Sequence, residues 1–253
     1  SLVYRDAPGQ NWRLTMESSL DAVGALYKDM QTDHIALEVS LDLPRQLRVA
    51  NAVVRTAEGT VQGEVTITFD GTPTCTFNVA ETEGGIDPVY ILHLINPAWD
   101  PWLEPVAVSA DSRIACQGSF LLEGDPMVRI EGTLRAPFAQ YKELRLDDLE
   151  CSWKITPGLI SWDLPRGRFF AGDLQLTGFY SLETRTGQLA FSGTRMSLPE
   201  VLAHFGSGKE NLPGFISANC RLNILHAWAG KNLQLTGNGR VAISDSDLWQ
   251  VPL

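Results

Sequence analysis

The chain has 253 residues, 44% apolar and 20% charged, which is enough to bury a core and suits one large β domain or two ordinary ones. Its 30 acidic and 20 basic residues leave a net charge of −10 and a pI of about 4.8. With no Lys/Arg cluster in sight, that balance excludes a nucleic-acid partner, whose phosphates need a basic face. No apolar run of roughly 18 residues is present, so no helix is expected to span a bilayer. No signal peptide opens the chain; an export or anchoring segment, if the natural protein has one, is expected to have been cut away.

In chain order, the first pattern is helical. "MESSLDAVGALYKDM" places Leu20, Val23, Leu26, Tyr27 and Met30 on one stripe, with Ser18 and Asp21 resembling a capping box, and predicts a helix over 18–30. Period-two alternation then takes over. "HIALEVSLDLP" sets Ile35, Leu37, Val39, Leu41 and Leu43 on one face. "VQGEVTITFDG" does the same with Val61, Val65, Ile67 and Phe69 before a turn at Asp70-Gly71, and "TCTFNVA" follows with Cys75, Phe77 and Val79. Similar runs cover 112–123, 127–136, 144–155, 168–180, 187–193, 220–228 and 232–244, with Gly, Pro, Asp and Asn between most of them. Clean alternation of this kind belongs to antiparallel sheet. Two short segments, "DPVYILHLI" and "LPEVLAHF", each open on a Pro with an acid nearby and predict helices over 87–96 and 198–205. All three helices are expected to plug or cap sheet edges.

One phrase recurs. "QGEVTI", "QGSFLL", "AGDLQL" and "NGRVAI" all read Gly-x-φ-x-φ in one phase, with glycines at Gly63, Gly118, Gly172 and Gly239 spaced by 55, 54 and 67 residues. Paired strands and a short helix follow Gly63 and again Gly172, a larger unit of about 109 residues. A first β unit with the N-terminal helix over 1–110, a second over 111–210 and the start of a third over 211–253 are expected to form one continuous domain. The two full units should superpose.

The residues that carry chemistry elsewhere give little here. His34, His93, His204 and His226 have no second His or Cys at ligand spacing, and His93 and His204 hold matching places in the two short helices. Cys75, Cys116, Cys151 and Cys220 show no Cys-x-x-Cys pair. They read as small buried hydrophobes, with a disulfide between neighbouring strands as the alternative. In "LRLDDLE" the apolar phase slips at Asp147-Asp148, which a β-bulge with solvated acids explains better than a carboxylate pair for acid/base or calcium chemistry. Trp99 and Trp102 in "NPAWDPWLEP" suit a wedge between helix and sheet better than a sugar platform, and Trp153 and Trp162 suit a shared apolar interior. No catalytic constellation is present, so no enzyme, no cofactor and no metal site are expected.

Residues 141–205, with a Leu-x-Leu-x-Asp-Leu strand, a return strand, a glycine-centred strand and the short "LPEVLAHF" helix, resemble the AsmA-like and TamB-like envelope proteins. The final stretch resembles their C-terminal phrase most closely, in Leu235, Gly237, Gly239, Val241, Ile243, Asp245, Leu248, Pro252 and Leu253, with Ser246 where a Gly is usual. A weaker copy over 46–97 extends the resemblance to about four-fifths of the chain. These are motifs of sheet geometry, so they identify architecture better than chemistry.

The resemblance implies a mainly β fold, with long antiparallel strands in a curved, repeat-built gutter with an apolar inside. It also implies a periplasmic place, a tether at the inner membrane outside this segment, and a part in outer-membrane assembly or phospholipid movement. The chain is expected to be an excised piece whose last strand, Leu233 to Ile243, offers an open edge for edge-to-edge self-association. Val65, Ile67, Phe69, Phe120, Leu122, Leu174, Leu176, Phe191, Val241 and Ile243 share the recurring phase and are expected to line a groove for a phospholipid or another acyl-chain lipid. A polar replacement of Ile67 or Leu174 should then cost less than truncation of a core residue. The competing readings are a closed β-sandwich adhesin or carbohydrate-binding module, and a structural spacer with a plugged groove.

Overall fold

A computed structural model describes residues 2–5, 13–24, 26–27, 30–57, 59–80, 83–84, 89, 104–124, 127–205, 212–225 and 234–246. The described residues are mostly strand. In chain order these are β1 (Leu2–Arg5), β2 (Arg13–Val23), β3 (Leu26–Tyr27), β4 (Met30–Gln31), β5 (His34–Leu43), β6 (Gln46–Arg55), β7 (Gly59–Thr68), β8 (Thr74–Val79) and β9 (Glu83–Gly84). Then come β10 (Val106–Val108), β11 (Arg113–Leu121), β12 (Arg129–Tyr141), β13 (Leu144–Thr156), β14 (Leu159–Phe169), β15 (Gly172–Ser181) and β16 (Thr186–Ser197). A helix, α1 (Leu198–Phe205), precedes β17 (Phe215–Leu225) and β18 (Gln234–Ser244). The main sheet runs β1-β2-β5-β6-β7-β8-β11-β12-β13-β14-β15-β16-β17-β18, with β9 beside β7, β10 beside β12, and β3-β4 as a separate hairpin. Neighbouring strands follow chain order and many pairs, such as β5-β6, β6-β7, β14-β15 and β15-β16, join through short antiparallel connections, whereas β8 reaches β11 over residues 80–112 and β16 reaches β17 by way of α1. Strands of 9 to 13 residues, such as β11 and β12, exceed the usual 5–6, as the long alternating runs require.

The chain falls into two compact units. One is Ser1–Asp100 with Ser109–Leu134 and Ile155–Pro157; the other is Pro101–Val108 with Arg135–Lys154 and Gly158–Leu253.

The helix expected over 18–30 is absent. Arg13–Val23 is strand, and Leu26–Tyr27 and Met30–Gln31 form the small hairpin. The reason is long-range pairing. Leu14, Met16, Leu20 and Ala22 also alternate with period two, and they meet Leu43, Leu41, Leu37 and Ile35 of β5. Gly24, at φ 69°, follows the last residue of the strand. Val23, which completed the helical stripe, is 82% exposed and packs on nothing that a helix would need. The segment 87–96 lies outside the described residues except for Val89, which is helical.

The expected helix at 198–205 is present. Ser197 caps it, its Oγ accepting from the Glu200 N–H at 3.4 Å, and Glu200 sits in the first turn where the helix dipole favours an acid. Leu198 is buried at its start, and Phe170 and Phe205 pack around His204 at its end.

Four long strands change phase at a bulge: β14, between Leu164 and Gly167, and three in which one residue takes a positive φ. In β6 the register shifts between Val49 and Ala52, with Asn51 at φ 50°; in β16 it shifts between Gly193 and Met196, with Arg195 at φ 53°. In β13, Asp148 takes φ 48° at the predicted phase slip. One extra residue in the left-handed region flips the alternation, so apolar side chains before and after the bulge stay on one face.

Candidate functional site

Register sorts the first unit into two chemically opposite faces. Met16, Leu41, Leu47, Ile67, Cys75 and Phe120 form one row across six strands. Beside it run Ser18, Val39, Val49, Val65, Phe77 and Gly118. Five inter-strand gaps of about 4.8 Å make each row about 24 Å long. The opposite face carries Glu38, Arg48, Glu64, Thr66, Thr76 and Gln117. There Arg48 donates to Glu64 at 2.9 Å, Asn51 to Glu38 at 2.8 Å and Gln117 to Glu131 at 2.7 Å, and His34 pairs with Asp21 at 2.9 Å. These exposed pairs fix little stability. Their importance is that they leave the apolar residues on the other side.

That apolar face is only half covered. In the first unit Cys75, 6% exposed, is the one fully buried hydrophobe among the described residues. Met16, Leu41, Leu47, Val65, Ile67, Phe77 and Phe120 are half-buried, and Leu20 is 49% exposed. Phe69 and Leu122 lie just past the ends of their strands, at 36% and 45% exposure. These residues form a contiguous, half-covered apolar surface.

The second unit repeats the arrangement with tighter packing. Leu164, Leu176, Phe191, Cys220 and Gly239 make one row; Gly167, Leu174, Gly193, Ala218 and Val241 make the next; Met196, Ile216 and Ile243 continue it. Leu174, one of the residues expected to line an accessible groove, is only 4% exposed. It stands between two glycines. A Cβ at Gly167 would come within 3.0 Å of the Leu164 side chain, and one at Gly193 within 2.8 Å of the Met196 sulfur, so those neighbours lean into the gaps and close the layer around it. The expected mild cost of a polar replacement therefore does not apply at Leu174. Val241 and Ile243 differ, being 65% and 42% exposed on β18, whose eleven residues are all exposed.

Aromatic rings occupy the space beside glycines of the adjoining strand. Phe77 covers Gly118, Trp162 covers Gly178 and Tyr180 stands against Gly187; a Cβ would meet those side chains at 2.9, 2.6 and 3.0 Å. The recurring glycines are sites of close approach as well: a Cβ at Gly63, Gly118, Gly172 or Gly239 would come within 2.8 Å of a main-chain atom of a neighbouring strand.

All four cysteines are free thiols. Cys75, Cys116 and Cys220 sit in the apolar rows, Cys116 opposite Val79. Burial pushes the thiols of Cys75, Cys116 and Cys151 up, and at Cys151 the Asp163 charge adds to it. Because these folded values are raised, the thiols contribute stability below their ordinary value and lose it as pH rises through the folded one. The melting temperature should therefore hold between pH 7 and 8 and fall above about pH 9, beyond the ordinary thiol value near 8.5. Iodoacetamide at pH 7.5 should label the unfolded chain much faster than the folded one. Equal labelling rates, or a melting temperature that rises with alkaline pH, would contradict the placement.

Each of the paired acids faces an arginine. Asp147 accepts from Arg145 at 2.7 Å and Asp148 faces Arg168 at 3.7 Å, and no cluster of three metal-ligating side chains occurs among the described residues. His204 meets Phe205 edge to face, with ring centroids 4.6 Å apart. His93, His226, Trp99 and Trp102 lie outside the described residues.

Two residues that sequence reasoning passed over are Arg221 and Arg240, on the polar side of β17 and β18. The signal was available: β16, β17 and β18 contain no acidic residue, in a chain with 30 of them. Comparison with protein-family models, with curated proteins and with solved structures finds no match to the chain.

Proposed function

We propose that the chain is a non-enzymatic, lipid-handling part of a cell-envelope protein of the AsmA-like and TamB-like kind, periplasmic and tethered to the inner membrane outside this segment. The observation that carries this is the half-covered apolar face of the first unit, where rows of Leu, Val, Ile and Phe about 24 Å long leave their side chains reachable. Acyl chains need no catalytic group and no charge to enter such a surface; partition of apolar area out of water drives them at about 25 cal/mol per Å². The second unit supports a narrower role: Leu164, Leu174 and Met196 form a packed layer, while Leu176 and Phe191 are half-buried and Val241 and Ile243 on β18 are exposed.

The test is uptake of a phospholipid with a fluorescent acyl chain. Wild-type protein is expected to bind it saturably, and Ile67→Asn and Phe120→Asn to lower uptake several-fold while the fold is retained. A wild-type protein that takes up no lipid would leave the structural-spacer reading ahead. A closed sandwich would show no uptake and strong destabilisation in both variants.

A further inference from the structure

We propose that the polar face of β15 to β18 binds a phosphorylated polyol through Arg221 and Arg240. Cross-strand register sets eight side chains there in two rows of four: Thr177, Ala190, Arg221 and Asn238, then Gln175, Ser192, Asn219 and Arg240. They line a depression of about 660 Å³ together with Leu176, Phe191, Cys220 and Gly239, the residues that stand between the two rows. That volume is in the range that small ligands occupy, roughly 300–1,000 Å³.

The charges in it are unmatched. Arg48, Arg135 and Arg145 each pair with a carboxylate on this chain. Among the described residues, Arg221 and Arg240 have no ion-pair or hydrogen-bond partner; β16, β17 and β18 supply no acid, and the acid this face does carry, Asp173 of β15, stands two strands from β17 and three from β18. They sit at diagonal positions, because Arg221 pairs with Asn238 and Asn219 with Arg240, so the two cations are neighbours about 7–8 Å apart along the backbone. Two adjacent guanidinium groups with no counter-charge form a receptor for a multivalent oxyanion, which their forked donors bind bidentately.

The remaining groups define what carries that anion. Gln175, Asn219 and Asn238 each present an amide that both donates and accepts, and Thr177 and Ser192 add hydroxyls, a set that complements the hydroxyls of a sugar or glycerol. None of the eight is aromatic, so the rows offer no ring on which a nucleobase would stack. The phosphate belongs to a free sugar phosphate or to a glycerophospholipid headgroup; both present the same chemistry. The site lies on the face opposite the apolar rows and stands whether or not those rows take acyl chains.

The experiment compares wild type, R221Q/R240Q and R129Q, the last removing a surface charge elsewhere. Each is titrated with glucose 1-phosphate and with glucose, and sedimented with phosphatidylglycerol or phosphatidylcholine vesicles. Wild type is expected to bind at least one phosphate-bearing anionic probe saturably. R221Q/R240Q should bind it at least tenfold more weakly with an unchanged melting temperature, and R129Q should match wild type. Binding to the soluble phosphate identifies a free ligand; binding to phosphatidylglycerol vesicles alone identifies a headgroup. The proposal is overturned if neither probe binds wild type, if glucose binds as well as its phosphate, or if R129Q loses as much affinity as R221Q/R240Q.

Discussion

Leu174→Asn should destabilise the protein by about 2–5 kcal/mol, the range for losing a fully buried aliphatic side chain, whereas Val241→Asn should stay within about 0.5 kcal/mol of wild type. Both residues belong to the same phase of the recurring strand pattern and to the same cross-strand row. They differ in what surrounds them. Leu174 is 4% exposed, enclosed by strands on both sides and by the Leu164 and Met196 side chains that fill the neighbouring glycine gaps. An amide there loses its water and finds no partner among apolar neighbours. Val241 is 65% exposed on β18, where an amide keeps its hydration. Urea unfolding of the two variants measures the contrast. Equal costs would mean that the packing difference between the rows is not real.

The second large effect is expected at Gly172. A Cβ there would lie 2.5 Å from both the Met196 nitrogen and the Thr194 oxygen, which are main-chain atoms beside the bulge at Arg195. A flexible side chain could move aside; two peptide groups held in a ladder cannot, so β15 and β16 must separate. Gly172→Val should cost about 3 kcal/mol, at the upper end for overpacking. By contrast Gly71→Ala, in a turn with nothing within 4 Å of the added carbon, should cost only the smaller strain of its φ of 78°. Thermal unfolding of both separates the steric cost from the conformational one. A Gly172→Val protein that melts with wild type would remove the close approach.

The β architecture was legible because period-two alternation is local. The phase of Gly63, Gly118, Gly172 and Gly239 also placed residues on a face, since Val65 and Ile67 do share a row system with Phe120, and Leu174 and Leu176 with Phe191 and Val241. The slip at Asp147-Asp148 announced itself because apolar residues flank it on opposite phases. The bulges at Asn51 and Arg195 were harder to read, because Val53 keeps the old phase beyond Asn51, and Gly193 and Thr194 interrupt the apolar run before Arg195. The N-terminal strand was misread because Leu20, Val23, Leu26, Tyr27 and Met30 fit a helix locally, and only pairing with β5 decides otherwise. How far a face is covered was not legible at all: alternation is the same whether the inner side is sealed, as around Leu174, or reachable, as around Ile67. Nor were the polar-face partners, because Arg48 meets Glu64 only after the bulge sets the register.

The central claim is that acyl chains reach one face of this sheet, and adjacent residues on opposite faces test it. A photoreactive side chain at Ile67 or Phe120, and its neighbour at Thr66 or Ser119, should be irradiated with a phospholipid bearing a radiolabelled acyl chain. Register sends each pair to opposite sides within one residue of backbone, so depth and exposure change little while the face inverts. Crosslinks at 67 and 120 with background labelling at 66 and 119 are the expected result. Equal labelling within each pair, or none at 67 and 120, would contradict a lipid-bearing apolar face.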